Sequence, residues 1–189
     1  MKLNVPYYSQ FLDVDDKFWM LRACGATCLK MVAEYHLSVQ ASGANVPDII
    51  SLCNEAKEKG GYDMTNGWVH NYLVSKAEEF GLKAHPSEGL TNIIDEIISS
   101  INAGNPVIVS VEKRVLEQTR FHLIVIVGYE RSDNQQSSPY DIQASNCFYY
   151  HEPESTDKTR GQYRVCDTET FINYWRGKAI FISKNTSTT

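Results

Sequence analysis

At 189 residues, with 42% hydrophobic and 22% charged residues, the chain has the composition of a globular protein that can bury a core without metal or disulfide staples. A formal net charge of −5 with no basic cluster argues against a nucleic-acid partner, and the longest apolar runs, such as Leu123 to Val127, are far too short to span a bilayer. The five cysteines, Cys24, Cys28, Cys53, Cys147 and Cys166, are odd in number and irregularly spaced. With no C-x-x-C pair among them, neither a disulfide framework nor a structural zinc site is expected.

Met1-Lys2-Leu3-Asn4 runs directly into Val5-Pro6 without a basic-then-apolar signal segment. Together with the odd cysteine count this favours a reducing, cytoplasmic setting, a secreted one applying if a leader has been trimmed. Leu3 to Gln10 reads as an extended segment held at an edge by Pro6. Phe11 to Ala23 has no clean period. Its Asp13, Asp15 and Asp16 lack the glycine and distal glutamate of a calcium loop, so it reads as a solvated loop over Trp19 and Met20.

From Cys24 the apolar spacing of Cys28, Met31, Val32 and Tyr35 predicts a buried helix to about His36. Ser42 to Pro47 breaks it, and Pro47 fits the first turn of a second helix, Asp48 to Lys59, closed by Gly60-Gly61. Asn66-Gly67 is a turn. A third helix, Val69 to Phe80, stops at Gly81, and Leu82 to His85 is short and extended. Leu90 to Ala103 is a fourth helix with five isoleucines on one face.

The pattern changes at Asn105-Pro106. Val107 to Val111 and His122 to Tyr129 are rich in β-branched residues and read as central strands. Arg131 to Tyr140 is a polar surface loop. Cys147 to Tyr150, Gln162 to Cys166 and Ala179 to Ile182 are further strands, with a short helix from Asp167 to Tyr174. With no repeat, low-complexity tract or linker, residues 1–189 read as one α+β domain, a helical first half followed by a largely antiparallel sheet.

Chemistry concentrates in Arg22-Ala23-Cys24-Gly25-Ala26-Thr27-Cys28. Cys24 stands where an irregular segment becomes a helix, so unpaired backbone N–H groups and the positive end of the helix dipole favour thiolate over thiol. A cysteine nucleophile also needs a base, a group to orient the base, and donors for an oxyanion. His122, opening an apolar strand that Phe121 helps to keep dry, is the base candidate. Glu152, after the next strand, can orient the imidazole, and Gln10 has a side-chain amide that can face an oxyanion beside the Cys24 N–H. Cys28, Cys53, Cys147 and Cys166 read as packing residues. His151 is a rival to His122, but strand alternation sets it on the face opposite Glu152.

The order Val-Pro-Tyr-Tyr-Ser-Gln, Ala-Cys-Gly-Ala-Thr-Cys-Leu-Lys-Met, Phe-Gly-Leu-Lys-Ala, Ile-Asn-Ala-Gly-Asn-Pro-Val-Ile-Val-Ser-Val, His-Leu-Ile-Val-Ile-Val-Gly-Tyr and Tyr-His-Glu-Pro resembles one group of cysteine peptidases. It is the papain-like family of bacteriocin double-glycine leader peptidases and their free-standing relatives. The resemblance runs from Asn4 to about Ile182, including the closing Thr170-Phe171…Trp175-Arg176-Gly177 pattern. It implies a papain-like fold, Cys24 as nucleophile, His122 as base and Gln10 as oxyanion donor. The partner it implies is a peptide or protein substrate, and it implies no cofactor and no metal. Two departures stand out. The family usually has Asp-Pro where this chain has Glu152-Pro153, with Asn146, at the start of the same strand, as the alternative orienter. The stretch from Gln10 to Cys24 is also longer than usual.

Two other readings share the scaffold. One is a degenerate domain that binds peptide without cutting it. The other is a thiol amidase or transferase acting on peptidoglycan or small thiol peptides. The absence of a G-x-x-x-x-G-K cradle argues against an attached ATPase. The segments Phe11 to Ala23 and Arg131 to Tyr140 are expected to border the cleft.

Overall fold

The computed structural model describes residues 1–38, 45–89, 91–115, 118–131 and 146–185. Among them the chain forms α1 (Cys24–Leu37), α2 (Ile49–Glu58), a small hairpin of β1 (Tyr62–Asp63) and β2 (Gly67–Trp68), α3 (His70–Glu79), β3 (Leu82–Glu88) and α4 (Ile93–Asn102). The second half supplies β4 (Val107–Val115), β5 (Gln118–Glu130), β6 (Cys147–His151), α5 (Lys158–Gly161), β7 (Arg164–Asp167), α6 (Thr168–Tyr174) and β8 (Trp175–Lys184). The architecture is α+β.

The main sheet has six antiparallel strands in the order β3-β8-β4-β5-β6-β7. Its centre is β4 and β5, whose Val107, Ile108, Val109, Val125, Ile126 and Val127 are buried. Strands buried on both faces need such continuous β-branched runs. α1 packs across β5, β4 and β8, α4 packs on β5 and β4, and Cys28, Met31, Val32 and Ala33 of α1 reach the core. The first chain segment lies along the end of β5, where Leu3 N–H donates to Val127 O at 2.8 Å.

Several element boundaries differ from the sequence expectation. Pro47 precedes α2, and Asp48 caps it by accepting the Ser51 N–H at 2.9 Å. α4 starts at Ile93, and the first three residues of the expected helix lie before it. β3 extends to Glu88 by pairing with β8 as far as Lys178. β4 and β5 run well past the apolar segment as a polar ribbon, Glu112 pairing with Phe121 and Lys113 with Arg120. The β1–β2 hairpin and α5 were not expected. Most of the polar loop from Arg131 to Tyr140 lies outside the described residues. No helix among the described residues is long and apolar enough to cross a membrane.

Candidate active site

Cys24 is the first residue of α1, and the first intrahelical bond runs from Thr27 N–H to Ala23 O. The N–H groups of Cys24, Gly25 and Ala26 therefore have no partner inside the helix, and they concentrate positive potential around the sulfur. Trp68 lies flat against Gly25: a Cβ there would fall 2.4 Å from Trp68 Cδ2. The indole also donates to Arg22 O at 2.7 Å. The β1–β2 hairpin thus clamps the start of α1, which only a residue without a side chain permits.

His122 lies on β5 with 4% of its surface exposed, and its Nε2 is 2.5 Å from Glu152 Oε1. Cys24 lies near enough to the imidazole to act on its titration. Burial, the largest influence, would lower the His122 pKa. The influence of Cys24, the hydrogen bond to Glu152 and the charges of both outweigh it and raise the pKa to about 10. Glu152, 7% exposed, answers in kind. Burial pushes it up, but the His122 hydrogen bond and charge, the Glu154 N–H at 2.9 Å and Lys113 bring it below the usual carboxylate range.

The backbone of Glu152 is fixed on both sides. Its N–H donates to Gly161 O at 2.8 Å and its carbonyl accepts from the Tyr7 hydroxyl at 2.8 Å. Gln10 N–H holds Pro153 O at 2.8 Å, and Ser9 Oγ donates to Ser155 O at 2.5 Å. Glu154 next to it pairs with Lys113 and Arg120. The extended first segment therefore braces the loop that carries the carboxylate.

Of the predicted site residues, the structure brings Cys24, His122 and Glu152 together. Asn146 stands at the other end of β6, where Cys147 pairs with Glu130, eight residues along β5 from His122. The carboxylate that meets the ring is Glu152. Gln10 is buried, and its Nε2 donates to Met20 O at 2.9 Å while Oε1 has no partner among the described residues. His151 turns away, bonded to Val5 O and the Tyr163 N–H. Cys28 donates to Leu123 O at 3.4 Å, and burial pushes its thiol and that of Cys53 far up, leaving both as core residues. No disulfide joins the cysteines, and no group of three or more His, Cys, Asp or Glu is set to hold a metal among the described residues.

Cys24 and His122 open onto a cleft of about 460 Å³. Leu21 and Arg22 of the long loop, Tyr62 and Trp68 of the hairpin, and Arg120, Phe121 and Arg176 of the sheet form its walls. Phe121 does not shield the histidine as expected. At 53% exposed it lies on the cleft rim with the Arg176 guanidinium 3.3 Å above its ring. The sequence reading passed over Trp68, Arg22 and Arg176 as site residues. Arg22 and Arg176 lay within motifs already singled out, but one sequence does not show which side of a motif faces a cleft.

The fold is shared with solved peptidase structures. A protein from Bacillus anthracis described as a C39-like peptidase aligns at a TM-score of 0.62 with 20% identity, over 98% of each chain. The peptidase domain of Streptococcus ComA, a bi-functional ABC transporter involved in a quorum-sensing pathway, aligns at 0.56 with 18% identity, over 87% of this chain and 93% of that one. A double-glycine-motif protease from an AMS/PCAT transporter, solved in complex with the leader peptide, aligns at 0.55 with 15% identity, over 97% and 94%. No curated protein matches significantly. The model of the Peptidase C39 like family matches residues 2–179, almost the whole described fold with Cys24, His122 and Glu152 inside it. The chain therefore belongs to the Peptidase C39 like family, and family and fold together support a cysteine-peptidase-like function.

Proposed function

We propose that the protein is a cysteine peptidase that cleaves a peptide bond through Cys24, His122 and Glu152. The observation that carries this reading is the buried imidazole–carboxylate hydrogen bond of His122 and Glu152, with Cys24 beside the ring at the wall of an open cleft. With the proton already on the His122 ring, the Cys24 sulfur attacks the substrate carbonyl carbon as a thiolate. The oxyanion that forms is held by the Cys24 N–H and by a Gln10 amide hydrogen not committed to Met20. His122 then gives its proton to the departing amine, leaving a thioester. Water, losing a proton to His122, attacks that thioester, releasing a carboxylic acid and restoring the thiolate beside the protonated ring. Glu152 stays ionised throughout, holding the ring in orientation and stabilising its charge.

The substrate is read as a peptide, in line with the leader peptide bound by one structural neighbour. The test is turnover of a panel of peptide, isopeptide and cell-wall substrates by the protein and its Cys24→Ala variant. Peptide cleavage abolished by Cys24→Ala is expected. Undiminished turnover by the variant would exclude Cys24 as nucleophile.

A further inference from the structure

The whole chain carries five more acidic than basic side chains, yet no aspartate or glutamate is found among the described residues lining the cleft. Three arginines line it instead. Arg120 is neutralised by Glu154 at 3.3 Å and anchored on Leu21 O. Arg22 and Arg176 have no ion-pair partner among the described residues. Arg22 spends one donor on Phe18 O at 2.9 Å and lies over the Phe18 ring, on the helical side of the cleft. Arg176, at the start of β8 on the sheet side, spends one donor on Ser110 Oγ at 3.1 Å and stacks on Phe121.

A guanidinium has five N–H donors in a rigid fork suited to a carboxylate. Both forks are anchored at two points, by a ring face and one hydrogen bond, and the remaining donors are unused by the described protein. Burial also weighs on Arg176, lowering its pKa, while Glu112, which acts on it only at a distance, makes no ion pair with it. His70, whose own pKa is lowered by burial and then by Lys178 and Arg176, lines the same wall without adding positive charge near neutral pH. A partly desolvated, fixed, unpaired cation beside a nucleophile is a recognition element for an anion.

We infer that the cleft selects a peptide carrying a carboxylate beside the bond cleaved, with Arg176 and Arg22 as the specificity-determining residues. This rests on the reading of Cys24 as the nucleophile. The exposed Leu21, Met64 and Phe121 on the same rim would contact apolar neighbours of that carboxylate.

The test uses two alkylating probes of the same chemistry, anionic iodoacetate and neutral iodoacetamide, with Cys24 modification followed by peptide mapping. The ratio of the two rates is expected to fall at least about fivefold in Arg176→Gln, and further when Arg22→Gln is added. A fall of less than twofold in the double variant overturns the inference. If Cys24 reacts with iodoacetamide no faster than Cys147 or Cys166, the nucleophile reading fails, while the ratio still reports on the arginines. Retention of blocked peptide libraries on immobilised Cys24→Ala protein then separates the two sources of the carboxylate. Enrichment of internal Asp and Glu supports the inference. Retention that follows only a free C-terminus overturns the internal position in favour of a chain end.

Discussion

Oε1 of Glu152 holds two protons' worth of donors at once, His122 Nε2 at 2.5 Å and the Glu154 N–H at 2.9 Å. The longer carboxylate, which departs from the Asp-Pro of the resembling family, still meets the ring because Gly161 and Tyr7 fix its backbone on both sides. Shortening it by one methylene withdraws the oxygens by about 1.5 Å. Glu152→Asp is therefore expected to lower kcat/KM about tenfold, and Glu152→Gln, which keeps the length and removes the charge, about 10²-fold or more. Steady-state kinetics on any cleaved peptide checks the order. A Glu152→Asp variant more active than the parent would show that the site is built for the shorter side chain.

The pair also makes stability depend on pH, and the direction follows from the shifts. His122 is raised from 6.5 to about 10, so its contribution is full below 6.5 and is lost as pH climbs toward 10. Glu152 is lowered from 4.5, so its contribution is present above 4.5 and is lost as pH falls through its depressed value. The stability gap between the parent and Glu152→Gln should be widest from about pH 4.5 to 6.5 and shrink toward pH 10. Urea unfolding at a series of pH values measures the gap. Ring NMR of His122 should show an imidazolium persisting well above pH 7, and Cys24→Ala should move its titration down.

The centre of the fold, and the three residues that meet in the candidate site, were legible in the sequence because each piece has a strong local cause. Cys24 opens an apolar-periodic helix, His122 opens a β-branched run, and Glu152-Pro153 ends a strand. What escaped lacks such a signal. β1 and β2 are two residues each, too short for any period, and are held by Trp19, Tyr62 and Trp68 packing ring against ring. The ribbon beyond Val111 is polar, so no buried face writes an alternation into its sequence. α5 spans only Lys158–Gly161, a single turn too short for an apolar period, held at its start by Asp157, which accepts from the Thr159 and Arg160 N–H groups. Asn146 was attractive by strand membership, but membership does not say which end of a strand reaches the histidine.

Reactivity of the sulfur tests the imidazole directly. Iodoacetamide should modify Cys24 in the parent at least about ten times faster than in His122→Ala at pH 6 to 7, since the variant loses both the base and its charge. Cys28 and Cys53 are buried and should remain unmodified in both proteins. Equal Cys24 rates in the two proteins would remove His122 from the reaction.

Gly25 sets how closely the hairpin approaches Cys24. In Gly25→Ala the new methyl would lie 2.4 Å from Trp68 Cδ2, so the indole must leave Arg22 O or α1 must shift. Overpacking of this kind costs about 1–3 kcal/mol, and the displaced Trp68 wall should lower kcat/KM further than the stability loss explains. Trimming the ring, as in Gly25→Ala with Trp68→Leu, removes the collision. It should restore most of the unfolding free energy while leaving activity reduced, because the indole also lines the cleft. If the double variant regains full activity, Trp68 acts only as packing and has no part in the site.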